Sequence, residues 1–204
     1  MAVRRAEAIY EKDSMNKLRI WFFLLDAVLV CAATRAKAVS YYPVRLEDPE
    51  AVYLTPDSFP VHGDGVADDS EAIQAAINRV AEHGEGVVLV PSGRYRVTRT
   101  IYVWPAVRVI GYGKTRPVFV LADNTPGYQQ GVGYMFLFAG GKPRKEPRID
   151  FATGRPADAI MGTVPPDPSI PDANPGTFYS AMSNEDFEIG QGNPAAVAIR
   201  FHVG

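Results

Sequence analysis

Four side chains toward the C-terminus have the types and spacing to do chemistry together: Asp186, Glu188, Arg200 and His202. Asp186 and Glu188 alternate with Phe187 and Ile189, the period of two that gives a strand one inward and one outward face. Both carboxylates therefore fall on the outward side. Val197, Ile199 and Phe201 alternate in the same way with Ala198, Arg200 and His202. Placed outward on adjacent coils of a stacked sheet, the four would line a groove with two carboxylates, a guanidinium and an imidazole. Two carboxyl groups held about 5 to 9.5 Å apart can cleave a glycosidic bond, one as acid and the other as base or nucleophile. On this reading Asp186, Glu188 and His202 are the catalytic candidates, and Arg200 and Arg148 the substrate-binding ones. A solvated strand face carries the same residue types, so the pattern alone admits both readings.

The elements that must position such a groove begin upstream, from Phe59 to Pro91 (FPVHGDGVADDSEAIQAAINRVAEHGEGVVLVP). Gly63 and Gly65 flank Asp64 in an expected tight turn. Asp68 is placed as a helix N-cap, with Glu71 three residues on completing a capping box. Ile73, Ala76, Ile77 and Val80 recur as the apolar stripe of one helix face, which predicts a helix from Asp69 to about Ala81. Gly84 and Gly86 end it, and Val87–Val90 reads as a buried strand. Gly63, Asp64, Gly65, Asp68 and Asp69 are accordingly assigned to turn and cap rather than to catalysis. Short runs follow at Tyr95–Val97, Ile101–Val103, Val107–Ile110 and Val118–Leu121, a spacing that suits a sandwich, a barrel or a stacked solenoid.

Three motifs in order decide among these: GDGVADDSEAIQAAIN, VVLVPSGRYRV and VRVIGYG. Together they resemble the opening of the pectate-lyase-like superfamily, specifically its rhamnogalacturonase/epimerase-like N-terminal segment. The resemblance covers about Phe59 to Leu121 and resumes over Phe178 to Val203. It implies an all-β chain, a single-stranded right-handed parallel β-helix with an N-terminal capping α-helix that covers the open apolar end of the first coil. The 118 residues from Val87, less the 37 of an irregular stretch, leave three or four coils at ~20–25 residues each. Members of the superfamily stack more, so a truncated member, incomplete at the C-terminus, is expected.

The other segments narrow the reading. Residues 1–38 have a basic start at Met15–Arg19, a 14-residue run from Ile20 to Ala33 that is apolar apart from Asp26, and an A-x-A site ending at Ala38, the order of a cleaved secretory signal, with an uncleaved membrane anchor or a buried helix as the alternative. Met15 is a candidate true start. Localisation is therefore expected to be secreted or periplasmic, with no stable membrane partner once the signal is removed. The mature domain would be 39–204, lacking cysteine, since the one Cys in the chain is Cys31. Residues 1–38 hold seven of the 21 Lys and Arg and four of the 23 Asp and Glu, which leaves a net charge near −5 and no basic stripe for nucleic acid. Residues 39–58 read as an extended lead-in. Gly140 to Gly176 contains eight of the 17 prolines and is read as an insertion, either lying on the side of the β-helix or walling a carbohydrate groove. Gly111–Thr115 ends in GKT but has Arg108 where a phosphate loop needs glycine. The three histidines show no zinc spacing.

The resemblance implies a polysaccharide partner and an activity of hydrolase or lyase type on a β-1,3-glucan or pectic polymer. The polygalacturonase motifs NTD, GDD, GHG and RIK are absent. The alternative is a non-catalytic β-helix for carbohydrate binding or for surface or phage adhesion. No cofactor is expected, with Ca2+ entering only for a lyase. The 204-residue chain by itself is expected to bind polysaccharide weakly and to turn it over poorly or not at all.

Overall fold

Short β-branched runs bury their inward side chains when coils stack in register, and the strands here do so. The computed structural model describes residues 39–142, 167, 169–174 and 177–202. The chain divides into two compact units, Met1–Ala38 and Val39–Gly204. The expected signal segment lies outside the described residues, as do Arg148 and most of the proline-rich stretch.

In order, the elements are β1 (Val52–Tyr53), β2 (Asp64–Asp68), α1 (Ser70–Glu82), β3 (Gly86–Pro91), β4 (Arg94–Arg96), β5 (Ile101–Val103), β6 (Val107–Tyr112), β7 (Val118–Leu121), β8 (Gly133–Phe138), β9 (Ala181–Ser183), β10 (Asp186–Ile189) and β11 (Ala196–Arg200). They form three sheets with the orders β1-β3-β6-β9, β2-β4-β7-β10 and β5-β8-β11, and every pairing is parallel. Each circuit of the chain adds one strand to each sheet. That is a parallel β-helix of three full coils behind a half-coil of β1, β2 and α1.

Register puts like residues above one another inside. Tyr95, Phe119 and Phe187 occupy one column on β4, β7 and β10. Their rings follow at 5.9 and 5.6 Å, and Phe119 also meets Phe136 at 4.6 Å. A second column runs Val52, Val88, Val109 and Met182. Tyr95, Phe119, Val88 and Val109 are buried, each worth about 1.5–3 kcal/mol over the exposed side chain, while Val52, Met182 and Phe187 are partly buried against them.

The helix stands where the first coil would need a third strand, against β5, the edge of its sheet. Ile73, Ile77 and Val80 are buried beneath it, as the stripe predicts. Gln74 supplies what the missing strand would have given. Its side-chain oxygen accepts the Tyr102 N–H at 2.8 Å, and its amide nitrogen donates to the Tyr102 carbonyl at 3.1 Å. An edge strand's backbone is thus satisfied by one side chain.

Several expectations are corrected at this level. The capping box does not form. Asp69 occupies the N-cap position and makes no side-chain cap bond. Asp68 instead accepts the Ser70 N–H at 3.0 Å and the Ser70 and Thr98 hydroxyls at 2.6 Å each, and Glu71 pairs with Arg99. Asp69 is fully buried and turns back to accept the His62 and Gly63 N–H groups at 2.7 and 3.0 Å. A side chain that satisfies two backbone donors elsewhere is not free to cap. The GDG stretch is the start of strand β2 as well as a turn. Asp64 bonds the Val66 and Ala67 N–H groups, as turn aspartates do. The lead-in joins the fold through β1 and a bridge from Val39 to Thr115. Strand β8 was not among the expected runs, because GYMFLF is apolar throughout and lacks alternation. All six of its residues are buried.

Candidate functional site

The outer face of β2-β4-β7-β10 carries charge in rows. Strand registration places Asp64, Arg94, Val118 and Asp186 in one column and Asp68, Arg96, Val120 and Glu188 in the next. Acids therefore lie on the two edge strands, with arginines on β4 and valines on β7 between. Parallel strands sit about 4.8 Å apart, so Glu188 is about 10 Å from the β4 row, within reach of a long side chain. Arg94 spans that gap and donates to Glu188 at 2.9 Å, with both groups nearly half exposed. Arg116, just before β7, donates to Asp186 at 3.4 Å. Arg96 donates to the Val66 carbonyl at 2.9 Å. Gly65 makes room for this arrangement: its φ is +78°, and a Cβ there would sit 3.1 Å from Arg94 Cβ and 3.2 Å from its Nε.

Asp186 and Glu188 are two residues apart on β10, about 6.6 Å along the strand. The sequence placed them on one outward face, and the structure agrees. Each carboxylate is engaged by its own arginine. Such pairs are exposed and individually weak, so either partner can exchange for a ligand group at little cost.

Arg200 and His202 do not join them. All four residues belong to the same coil, not to adjacent ones, and β10 and β11 lie in different sheets. Arg200 is clamped by Asp172, with Nε 3.2 and 3.1 Å from the two carboxylate oxygens and an Nη bond besides. Its pKa is raised further, chiefly by that hydrogen bond. His202 lies 3.7 Å from the same carboxylate. Asp172 belongs to a strap, residues 169–174, that pairs with the chain at the end of β8. The Gly140 N–H donates to the Pro171 carbonyl and the Ala173 N–H to that of Phe138, while Ile170 and Ala173 are buried. For its described residues, the proline-rich stretch therefore lies on the side of the β-helix.

His62 and His83 are exposed outside helix and strand, and His83 Nδ1 meets the Arg79 carbonyl at 2.9 Å. Asn184 and Asn193 hold coil turns, Asn184 through the Gly111 carbonyl at 2.7 Å and Asn193 through that of Ala122 at 2.8 Å. Sequence reasoning passed over Arg94 and Arg96. Their signal was legible, since in RYR the two arginines flank an inward tyrosine. It also passed over Glu185, whose Oε1 is buried without a hydrogen-bond partner and whose carboxyl is pushed up to about 9 by burial. Among the described residues no group of three His, Cys, Asp or Glu is arranged to hold a metal ion.

Residues 57–144 match the family described as rhamnogalacturonase A/epimerase, pectate lyase-like. Over that segment the chain resembles the pectate-lyase-like superfamily. Within it, similar stretches occur in a glucan 1,3-beta-glucosidase of Cochliobolus carbonum (47% identical over 49 residues, 24% of this chain and 6% of that protein). They occur also in alginate lyase 7 of Azotobacter vinelandii (38% over 73 residues, 32% of this chain and 8% of that protein). A mannuronan C5-epimerase of the same organism is 38% identical over 69 residues, 30% of this chain and 7% of its own length. The chain thus matches less than a tenth of the length of each of these relatives. By their names these relatives act on glucan, alginate and mannuronan. The matched segment holds the cap, the first two coils and the arginines of β4, and stops short of Asp186 and Glu188.

Proposed function

We propose that this protein takes part in the recognition and cleavage of an extracellular acidic polysaccharide, which lies along the outer face of β2-β4-β7-β10. The observation that carries the reading is the arginine set on that face, Arg94, Arg96 and Arg116, of which two are held by exposed carboxylates. A uronate polymer presents carboxylates at regular intervals along an extended chain, and planar guanidinium forks suit bidentate capture of such groups. Alginate and mannuronan, named in two of the relatives, are polymers of this class. In the bound state Asp186 and Glu188 release their arginines to the substrate and face its hydroxyls or glycosidic oxygens. Glu188 is the acid/base candidate in cleavage, with Asp186 beside it on the same strand.

The test is binding of a mannuronan oligomer to the protein and to an Arg94→Gln/Arg116→Gln variant, with a neutral β-1,3-glucan oligomer as control. The reading expects the acidic oligomer to bind, the neutral one to bind far less, and the variant to lose about tenfold or more. Equal binding of the neutral oligomer, or an unaffected variant, contradicts it.

A further inference from the structure

At the corner where the chain passes from β4 to β5, a cavity of about 370 Å³ opens beside the arginine face. That volume falls at the small end of ligand sites, which run about 300–1,000 Å³. Thr98, Arg99 and Thr100 form one wall, Pro126 and Tyr128 another, and Tyr102 and Asp167 close it. The walls come from three separated parts of the chain, so the cavity is a product of the coil and not of one loop.

Its polar groups are of two kinds. Thr100 and Tyr128 donate their hydroxyls to the Tyr134 carbonyl at 2.8 and 3.2 Å, which fixes the floor. Tyr102 is different. Its oxygen accepts the Asp167 N–H at 2.6 Å, which leaves its own O–H proton to point elsewhere. Burial pushes its pKa up, so the phenol keeps that proton at neutral pH. The ring is held in place by stacking on Trp104, centroids 5.7 Å apart and planes at 10°. Arg99 stands at the mouth with half its side chain exposed, paired among the described residues to Glu71 alone, itself 79% exposed. An ion pair that open contributes little, so Glu71 is readily displaced.

We infer that this corner cavity is a subsite for one uronate residue of the polysaccharide, its carboxylate paired with Arg99 and a ring hydroxyl accepting from Tyr102. This deepens the proposed function and rests on it. Thr98 ties the two regions together, since its hydroxyl bonds Asp68 at the edge of the arginine face. A polymer that runs off that face at the β4–β5 corner meets Arg99 next. Pro126, exposed on the opposite wall, offers an apolar surface to the sugar ring.

The experiment is calorimetric titration of the full chain with mannuronan trimer and with its carboxyl-reduced, neutral counterpart. Arg99→Gln should weaken the acidic trimer by about tenfold, the size expected for loss of a charge-assisted pair, and leave the neutral trimer unchanged. Tyr102→Phe keeps the ring on Trp104 and should weaken both trimers by about threefold, as for loss of one neutral hydrogen bond. A Trp21→Phe background leaves Trp104 as the sole tryptophan. Its emission should shift on binding, and Arg99→Gln should reduce that shift at equal trimer concentration. If Arg94→Gln weakens binding while Arg99→Gln and Tyr102→Phe bind like wild type, the subsite is overturned and the arginine face stands. If the wild type binds neither trimer, both readings fall together.

Discussion

Two sheets of the same β-helix treat their arginines in opposite ways. On β5-β8-β11, Arg200 is four-fifths buried and locked by Asp172, and the strap that carries Asp172 is bonded to the chain at the end of β8. On β2-β4-β7-β10, Arg94 is about half exposed and reaches across a strand to Glu188 with nothing laid over it among the described residues. The first arrangement spends a guanidinium on architecture. The second leaves one on an open face, in a pairing that a ligand can take over. Charge alone does not mark a site; what lies over the charge does.

The largest effect is expected where the cap supports both sheets at once. Ile77 is fully buried between α1 and the first coils. Ile77→Asp combines a lost apolar contact with an unpaired buried charge, and should cost about 4 kcal/mol in denaturant unfolding. Retention of wild-type stability would remove α1 from its role as the cap and with it the frame for either face.

The next pair of variants tests the comparison itself. Asp172→Ala strands a mostly buried guanidinium and frees the strap, and should cost about 3 kcal/mol, with faster proteolysis of the 167–174 region. Glu188→Ala breaks an exposed pair and should cost under about 1 kcal/mol. Equal losses in the two variants would erase the distinction between a structural and an available arginine.

A smaller and opposite effect is expected at Glu185, in the turn between β9 and β10. Its folded carboxyl holds its proton up to about 9, above where the unfolded one releases it. The folded state is therefore best favoured below the ordinary glutamate range and loses that advantage as pH rises toward 9. Glu185→Gln should flatten this slope and raise stability at pH 8 by about 1–2 kcal/mol, since the amide removes the ionisation that favours the unfolded glutamate there. Urea melts at pH 5 and pH 8 check it; an unchanged slope in the variant would assign the pH dependence to other groups.

The fold was legible because each coil repeats short, alternating runs bounded by glycine and proline, and because the apolar stripe from Ile73 to Val80 has helical period. What escaped followed from the same physics. Strand β8 is buried on both sides, so it shows no alternation. Asp69 reads as a cap or turn residue in sequence, but the coil draws its carboxylate back to the His62–Gly63 turn. Asp186 and Glu188 were correctly set on one outward face by period alone. Their separation from Arg200 and His202 was not readable, because the turn at Gly190–Ala195 carries the chain around a corner into another sheet. The bend depends on long-range bonds such as Asn193 to the Ala122 carbonyl. Arg94 and Arg96 were readable from RYR, and became a candidate site only once registration set them between two acidic rows.

The central claim is that the polysaccharide occupies the open arginine face, and mapping by amide chemical shifts tests it most directly. Titrating isotopically labelled protein with mannuronan oligomer should shift the amides of β4, β7 and β10, together with those at Thr98–Thr100. The amides of β1, β3, β6 and β9 should stay still. Shifts confined to the β1-β3-β6-β9 sheet, or shifts that persist unchanged in Arg94→Gln/Arg116→Gln, would contradict the account.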